Sequence, residues 1–310
     1  MANTSVTAAA IRPVARTQRV SRTHHSRRWA LYALLILIAL VSLFPFAWML
    51  MTSVKDLGDV IQLRFWPWPP FGHSTPQWGN YAQAINQIGL DDNTGLPLFV
   101  RQLLNTAFVT VVIVLGVNIT SIMAAYAFAQ LDFPGKGALF IVVLSTLMIP
   151  DDLTLVPRAV MMFKNYLDWY NTYLALTVPF MASAFGIFLI RQFFMQVPRD
   201  LFDAARIDGA GHIRYMIQVM VPLSRPAILT VALFHFIWAW NEFKWAQLVT
   251  SNSNMYMISV GLQDFLNGDG GAQTQLAMAV ATMVVAPIVV LYFFTQQYFT
   301  EGITTTGLKG

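Results

Sequence analysis

The sequence contains no cysteine and few charges. Only 11% of its 310 residues are Asp, Glu, Lys or Arg, whereas about a quarter of the residues in soluble domains are charged. The absence of cysteine excludes disulfides and thiolate metal ligands, but it is compatible with either redox compartment. Hydrophobic residues make up 56% of the chain. This composition indicates a membrane protein.

The sequence also lacks the motifs of nucleotide binding and of common enzymes. The Gly-Lys pair in FPGKG at 133–137 does not have the G-x-x-x-x-G-K-[ST] spacing that lets loop amides bind phosphate. Pro134 and Gly135 instead predict a tight turn. No Ser/His/Asp set, H-E-x-x-H pair or cofactor fingerprint is present. We therefore expect no enzymatic activity, no metal site and no cofactor bound by this chain.

Apolar stretches in the sequence are long enough to cross a hydrocarbon core of about 30 Å, which takes roughly 20 helical residues. The first follows an Arg-rich segment and lacks a small-residue cleavage site, so we predict an uncleaved signal anchor. The expected fold is all-α and membrane-integral, with a disordered basic tail at 1–28, a transmembrane domain at 29–299 and a tail at 300–310. Six spans are predicted, near 29–51, 103–129, 138–157, 172–194, 226–248 and 276–299.

The distribution of Lys and Arg predicts which side faces the cytoplasm. With the N-terminus inside, the inner segments hold 13 of the 19 basic residues and the outer segments hold six. Cytoplasmic loops carry such an excess. Both termini and the segment between the fourth and fifth spans are therefore predicted to be cytoplasmic. Because topology explains the positive net charge, we expect no nucleic-acid partner.

The middles of five predicted spans carry no ionisable side chain. Carriers driven by ion gradients usually place such residues in the membrane to relay protons or to hold Na⁺. In the fifth span His235 lies between two phenylalanines, and a packing role is favoured over a transport role. Glu242 and Lys244 most simply mark the outer interface. Any active transport should therefore take its energy from another subunit.

The longest predicted outer loop, about 52–102, is rich in proline and aromatic residues. FWPWPPFGHSTPQW combines Trp66, Trp68 and Trp78 with four prolines, which excludes regular helix. An aromatic belt at the membrane interface is favoured over a platform that stacks a ligand.

A polar segment at 203–226, DAARIDGAGHIRYMIQVMVPLSRP, separates the fourth and fifth spans. Asp200 predicts the N-terminal cap of a short helix, and Gly209 and Gly211 can adopt the positive φ that ends one. A second amphipathic stretch follows, and Pro222 is predicted to end it. These features fit an interfacial helical hairpin and a docking element for a cytoplasmic partner equally well.

The spacing of this segment resembles the EAA loop of ABC-importer permeases, which is E-A-A, three residues, G, nine residues and I-x-L-P. Asp203, Ala204 and Ala205 match the first part, Gly209 the second, and VMVP at 219–222 the last. Asp replaces Glu at the first position, and valine replaces Ile and Leu near the end. These differences preserve the charge or the apolar character.

Further stretches resemble the second permease subunit of carbohydrate-type importers, the maltose class. The resemblance implies a pore formed as a heterodimer with a sister permease, an ATPase dimer that binds ATP and Mg²⁺, and an extracytoplasmic sugar-binding protein. It also implies the cytoplasmic (inner) membrane of a bacterium or archaeon. The matching stretches are FPFAWMLMTSVKD at 44–56, NTAFVT at 105–110, AAYAFAQLDFPGK at 124–136, VPRDLFDAARIDGAG at 197–211, WNEF at 240–243 and TTTGLKG at 304–310.

In that family a short coupling helix in the EAA loop fits a cleft of the ATPase, and ATP-driven closure of the ATPase rocks the two permeases. By position, the expected docking residues are Asp203, Ala204, Ala205, Asp208, Gly209, Ala210 and Pro222. The loop at 249–275 would approach the binding protein, although its Gly-rich turn LNGDGG also fits a flexible connector.

Polar residues in or near the spans are candidates for lining the pore, but such residues more often bond a neighbouring helix. The candidates are Asn118, Ser121, Ser145, Ser183 and Asn241. Two alternatives stay open. One is a permease of the same class that carries an amino acid or polyamine, and the other is an ion-coupled carrier or receptor that works alone.

Overall fold

The computed structural model describes residues 23–66, 68, 69, 72, 74–91, 94–268 and 273–304. Most of the two predicted tails, 1–22 and 305–310, and residues 269–272 of the Gly-rich turn lie outside the described residues. The described chain is helical and contains no β-strand. Its α-helices are α1 (Thr23–Ser53), α2 (Leu57–Ile61), α3 (Gly79–Gln87), α4 (Leu98–Gln130), α5 (Lys136–Ser145), α6 (Asp151–Met161), α7 (Tyr173–Thr177), α8 (Ala184–Phe194), α9 (Arg199–Ile207), α10 (His212–Tyr215), α11 (Val221–Leu223), α12 (Arg225–Trp240), α13 (Lys244–Val249), α14 (Ile258–Asn267) and α15 (Thr274–Thr304).

Three helical segments are long and apolar enough to cross a membrane alone: Arg28–Ser53, Leu98–Gln130 and Thr274–Phe294. Three more candidates are pairs of helices separated by a short break, so the described chain has up to six spans if each pair counts as one. The all-α membrane fold is therefore confirmed. The pairs bend by 97° between Lys136–Met148 and Asp151–Met161, by 42° between Tyr173–Phe180 and Ala184–Phe194, and by 80° between His212–Leu223 and Arg225–Trp240.

Helix breaks interrupt three of the predicted spans. The stretch predicted at 172–194 is divided between Phe180 and Ala184, and two further stretches also change. The stretch predicted at 138–157 turns sharply before α6, because Pro150 has no amide hydrogen and disfavours helical geometry in the residue before it. The stretch predicted at 226–248 ends as a helix at Trp240, and α13 starts separately at Lys244. Neither stretch is one straight helix.

The chain divides into two units, Met1–Trp48 and Met49–Gly310. In the described part of the first unit, all residues from 28 to 47 are exposed. The exposed side chains are mostly leucine, isoleucine, valine and aromatic residues. This apolar surface suits contact with lipid hydrocarbon.

The main core of the second unit lies where α4, α8 and α12 pack against one another. Val117, Ile190 and Val231 are completely buried there. α4 and α8 approach closely at Gly186, because a Cβ added to it would lie 2.5 Å from the Ser121 hydroxyl oxygen. The small residue lets the two helices pack tightly.

The predicted outer loop is held by hydrogen bonds to TSVKD, the end of the FPFAWMLMTSVKD stretch at 44–56. Asn80 of α3 donates from Nδ2 to the carbonyls of Ser53 and Lys55, both at 2.9 Å. Lys55 is buried and donates to the Arg64 carbonyl at 2.8 Å, and burial lowers the pKa of its amine. The proline-rich stretch between α2 and α3 contains no helix in its described residues, as predicted.

The NTAFVT motif fixes the segment between α13 and α14. Asn105 of α4 donates from Nδ2 to the carbonyls of Asn254 at 2.8 Å and Tyr256 at 3.0 Å. Thr106 accepts a 2.7 Å hydrogen bond from the Ile258 amide through Oγ1. The predicted 249–275 loop is therefore held against the start of α4 and contains a helix of its own, α14.

Candidate functional site

The start of α9 differs from the prediction. The helix begins at Arg199, and Pro198 occupies the N-cap position without a side-chain capping bond. Asp200 lies inside the first turn and does not cap the helix. Its carboxylate is still favourable there, because the helix N-terminus carries partial positive charge.

The end of α9 is fixed by Gly209, as predicted. Gly209 has φ +76°, the Ala210 amide donates to the Ala205 carbonyl at 2.9 Å, and the Gly209 amide donates to the Arg206 carbonyl at 3.0 Å. This pair of bonds is a Schellman motif, which satisfies the last carbonyls of a helix. Gly211 instead has φ −77° and begins α10.

The two sides of α9 differ in character. Asp203, Ala204 and Asp208 are exposed, and Ile207 at the last turn is 87% exposed. Ala205 is half-buried and packs on the main core. The predicted docking residues of α9 therefore form an exposed surface that also includes Ile207, which the motif alone did not identify.

An aromatic joint, formed by Tyr126, Phe202, His212 and Tyr215, connects α9 and α10 to the end of α4. The Phe202 ring lies edge-on to Tyr215, with centroids 5.0 Å apart, and 5.6 Å from the His212 ring. The Tyr126 hydroxyl and His212 Nδ1 share a 2.8 Å hydrogen bond. The joint ties the exposed surface of α9 to the longest described helix.

Pro222 does not end the second helical stretch, contrary to the prediction. The helix continues from His212 to Leu223 through a π-helical turn at Met216–Met220. A π turn inserts an extra residue and leaves carbonyls without the usual i+4 partner, so the missing amide hydrogen of proline is tolerated beside it. The break comes two residues later at Ser224, where the chain bends by 80°.

A second site, the broken-helix cavity, lies where the breaks before α6, α8 and α13 meet. It consists of two adjoining spaces of about 550 Å³ and 370 Å³. Both are lined by Asp151, Arg158, Phe180 and Trp238. The first is further lined by Pro179, Ala182, Ser183, Phe185, Phe234 and His235, and the second by Asp152, Leu155, Asn241, Glu242, Phe243, Lys244 and Trp245.

The cations in the cavity wall are paired with carboxylates. Arg158 Nη2 lies 3.2 Å from Asp151 Oδ1, and its guanidinium is 5.4 Å from the ring centres of both Phe180 and Trp245. Lys244 Nζ lies 2.9 Å from Asp152 Oδ1. This hydrogen bond raises the pKa of the Lys244 amine above its ordinary value.

The five pore candidates separate into two groups. Ser183 and Asn241 line the broken-helix cavity. Asn118 donates to the Val114 carbonyl of its own helix, and Ser145 likewise donates to Val142. Ser121 is completely buried beside Gly186. Asn118, Ser121 and Ser145 line neither part of the cavity; Ser121 packs between α4 and α8, and Ser145 is exposed.

Sequence analysis missed the aromatic and charged residues of the cavity. Phe180 and Trp238 look like ordinary residues of apolar spans, and Arg158 pairs with Asp151 seven positions earlier. The prolines before α6 and α8 were the available signal, because helix breaks in membranes occur where backbone lines a cavity or is buried in protein. The sequence predicts only that Lys244 marks the outer interface. In the structure its Nζ forms an ion pair with Asp152.

Residues 20–305 match the family described as the inner membrane component of binding-protein-dependent transport systems. The chain belongs to this family. The chain is therefore a non-catalytic membrane component of such a transport system, and the resemblance to importer permeases is confirmed. Among its described residues, no group of three or more metal-binding side chains is placed to hold an ion.

Relatives of this family component cover nearly the whole chain. The arabinooligosaccharides transport system permease protein AraQ of Halalkalibacterium halodurans is 30% identical over 286 residues, 91% of this chain and 96% of the relative. The sn-glycerol-3-phosphate transport system permease protein UgpE of Rhizobium meliloti is 31% identical over 278 residues, 89% and 95% of the two chains.

A solved structure shares the fold of this component. It is a chain of a bacterial ABC transporter involved in the import of the acidic polysaccharide alginate. The TM-score is 0.76 and the identity 23%, over 91% of this chain and 100% of the other.

Proposed function

We propose that this component forms half of the pore of an ATP-binding-cassette importer that takes up a sugar or oligosaccharide. AraQ, with which it shares almost its full length, is named for arabinooligosaccharides. WNEF and the tail motif, typical of the maltose class, favour a sugar over an amino acid or polyamine. The pore would be completed by a sister permease, and an extracytoplasmic binding protein would deliver the cargo.

The ATPase would dock on the exposed side of α9. The observation that carries this proposal is the 87% exposure of Ile207 at the end of a helix whose other side is packed. Ile207 is exposed beside Asp203, Ala204 and Asp208, in the loop that resembles the EAA motif, and this combination supports an interaction surface. The docking residues are then Asp203, Ala204, Asp208 and Gly209 around Ile207, with Ala205 packed behind them on the core; Ala210 and Pro222 complete the set that the motif implies.

The aromatic joint would carry the movement of the ATPase into the membrane domain. ATP closes the ATPase dimer, α9 moves with it, and the joint passes this movement to the end of α4. Contact with the ATPase shifts the equilibrium between the inward-facing and outward-facing states only if it stabilises one of these states more than the other. α9 meets this requirement through its Schellman C-terminus and the packing of Phe202 and Ala205 on the core, because both limit its bending.

The distribution of Lys and Arg supports an orientation in which both termini and α9 lie in the cytoplasm of a bacterium or archaeon. ATP and Mg²⁺ would bind to the partner ATPase. An ion-coupled carrier that works alone is the rival. It would be active as a purified single chain, whereas this component should copurify with an ATPase and a second permease.

Replacing Ile207 with aspartate tests the docking surface. A charge enclosed in an interface without a partner costs about 3–5 kcal/mol. We expect Ile207→Asp to insert normally but to lose the ATPase during affinity purification from membranes.

Ile61→Asp is the matched control, because Ile61 is 71% exposed on the predicted outer side. It should retain the ATPase. Equal retention of the ATPase by both variants would contradict docking at α9.

A further inference from the structure

We propose that the broken-helix cavity is a subsite for an uncharged oligosaccharide, and that this chain itself supplies it. The inference rests on the proposed importer function and adds a location and a charge class for the cargo. Size is the first argument. Ligand sites in proteins measure about 300–1,000 Å³, and the two adjoining spaces of about 550 Å³ and 370 Å³ reach that range.

Aromatic rings are the second argument. Phe180 and Trp238 lie 4.8 Å apart, and Phe185 and Phe234 lie edge-on at 5.7 Å. All four rings line the larger space, and Phe234 is 53% exposed. The C–H faces of a sugar ring are apolar and stack on aromatic rings, while its hydroxyl groups point outward from the ring edge.

Neutral hydrogen-bonding groups are the third argument. Ser183 and Asn241, whose side chains carry no charge, line the wall beside the rings. At two of the helix breaks, side chains bond the first amides of the next helix: Ser183 Oγ accepts from Gly186 and Glu242 Oε1 accepts from Trp245. Uncharged donors and acceptors next to aromatic rings match a sugar, which offers hydroxyl groups at every edge.

The charge of the wall selects against anions. The described lining contains three carboxylates, those of Asp151, Asp152 and Glu242, against Arg158 and Lys244. Each cation is already bonded to an aspartate. A phosphate or uronate would have to displace these carboxylates while Glu242 repelled it. This wall therefore differs from what the charged cargoes named for UgpE and for the alginate importer require.

The test measures sugar binding to the purified transporter without its binding protein, by saturation-transfer NMR, which detects weak ligands. The probes are the neutral maltotriose and arabinotriose and the anionic trigalacturonate. We expect saturation transfer to at least one neutral trisaccharide and at least fivefold less to trigalacturonate. Binding of neither neutral probe, or equal binding of trigalacturonate, would overturn the proposal.

Variants assign the signal to the cavity. Trp238→Ala should remove most of the transfer, and Trp238→Phe, which keeps a ring, should restore much of it. Trp78→Ala is the matched control, because this tryptophan is 69% exposed and lies outside the cavity; it should bind like the wild type. Unchanged binding by Trp238→Ala would place the sugar elsewhere.

A charge variant tests selectivity separately. Asp152→Asn leaves Lys244 without its carboxylate and should raise trigalacturonate binding severalfold, and no rise would refute the charge argument. Copurification of the ATPase with each variant reports on the importer function independently. If the ATPase is present and sugar binding fails, only this inference is wrong.

Discussion

Gly209 is the residue that determines how α9 ends. Its backbone has φ +76°, and no heavy atom lies within 4 Å of the place where a Cβ would stand. A side chain there would meet no neighbour, so the glycine is required by backbone conformation alone. Gly211, two residues later, has an ordinary negative φ and equally open surroundings.

Valine substitutions test whether Gly209 and Gly211 have different roles. Gly209→Val forces a β-branched residue into left-handed geometry at a cost of about 1–2 kcal/mol, and the end of α9 should rearrange. We expect a severe loss of ATP-driven uptake at normal expression. Gly211→Val should transport normally. Wild-type uptake by Gly209→Val would show that the Schellman end is dispensable.

Which residues act together could be predicted only in part. The role of Gly209 in ending α9 was predictable because the need for positive φ is local, whereas the docking residues stay a prediction that rests on the spacing of the motif. Trp238 and Arg158 were not predictable, since their function comes from Phe180 and Asp151, which only the fold brings near. Local chemistry can be inferred from sequence, whereas a shared cavity cannot.

Among the elements, the aromatic joint has a task distinct from that of the exposed side of α9. Ile207 faces outward for a partner, while Phe202 faces inward against Tyr215 and His212. The proposed docking surface and the proposed transmission path therefore lie on opposite sides of one short helix. Damage to each side should have a different phenotype.

Phe202→Ala tests transmission. Removing the ring separates α9 from α4 and leaves the docking surface in place, so the ATPase should still copurify and hydrolyse ATP. Uptake per ATP hydrolysed, measured in proteoliposomes, should fall about tenfold. Phe163→Ala, at a ring pair on the predicted outer side, is the control and should stay coupled. Full coupling in Phe202→Ala would exclude the joint from the path.

Proline and glycine predicted only some helix ends, since Gly209 ends α9 whereas Pro222 lies within a continuous helical stretch. The break after Trp240 contains neither proline nor glycine. It arises because Glu242 Oε1 accepts a 2.9 Å bond from the Trp245 amide, while the Trp240 indole donates to the Val284 carbonyl of α15 at 3.2 Å. Apolar residues continue past the break, so hydropathy predicted one span.

For the whole molecule, orientation in the membrane decides whether α9 can meet an ATPase. The excess of Lys and Arg in the predicted inner segments supports a cytoplasmic α9. The absence of cysteine makes this testable without removing native thiols. Two exposed positions on opposite predicted sides are available. Leu63 is 78% exposed, and the Asp132 side chain is fully exposed.

Single cysteines at these positions report the topology. A membrane-impermeant maleimide should label Leu63→Cys in intact spheroplasts and Asp132→Cys only after permeabilisation. The cysteine-free parent controls for background labelling. The reverse pattern would put α9 outside and exclude a cytoplasmic partner.

The chain bends by 80° at Ser224, so the two helices on either side of the bend lie nearly perpendicular to each other. If they move as one rigid unit, the bend changes the direction in which a movement acts. A movement along the axis of the helix His212–Leu223 would then displace α12 almost perpendicular to the axis of α12. A sideways displacement of one helix widens or narrows the space between it and its neighbours. Because α12 carries Phe234 and Trp238, a thrust received near α9 would reset the width of the cavity without lengthening or twisting any helix.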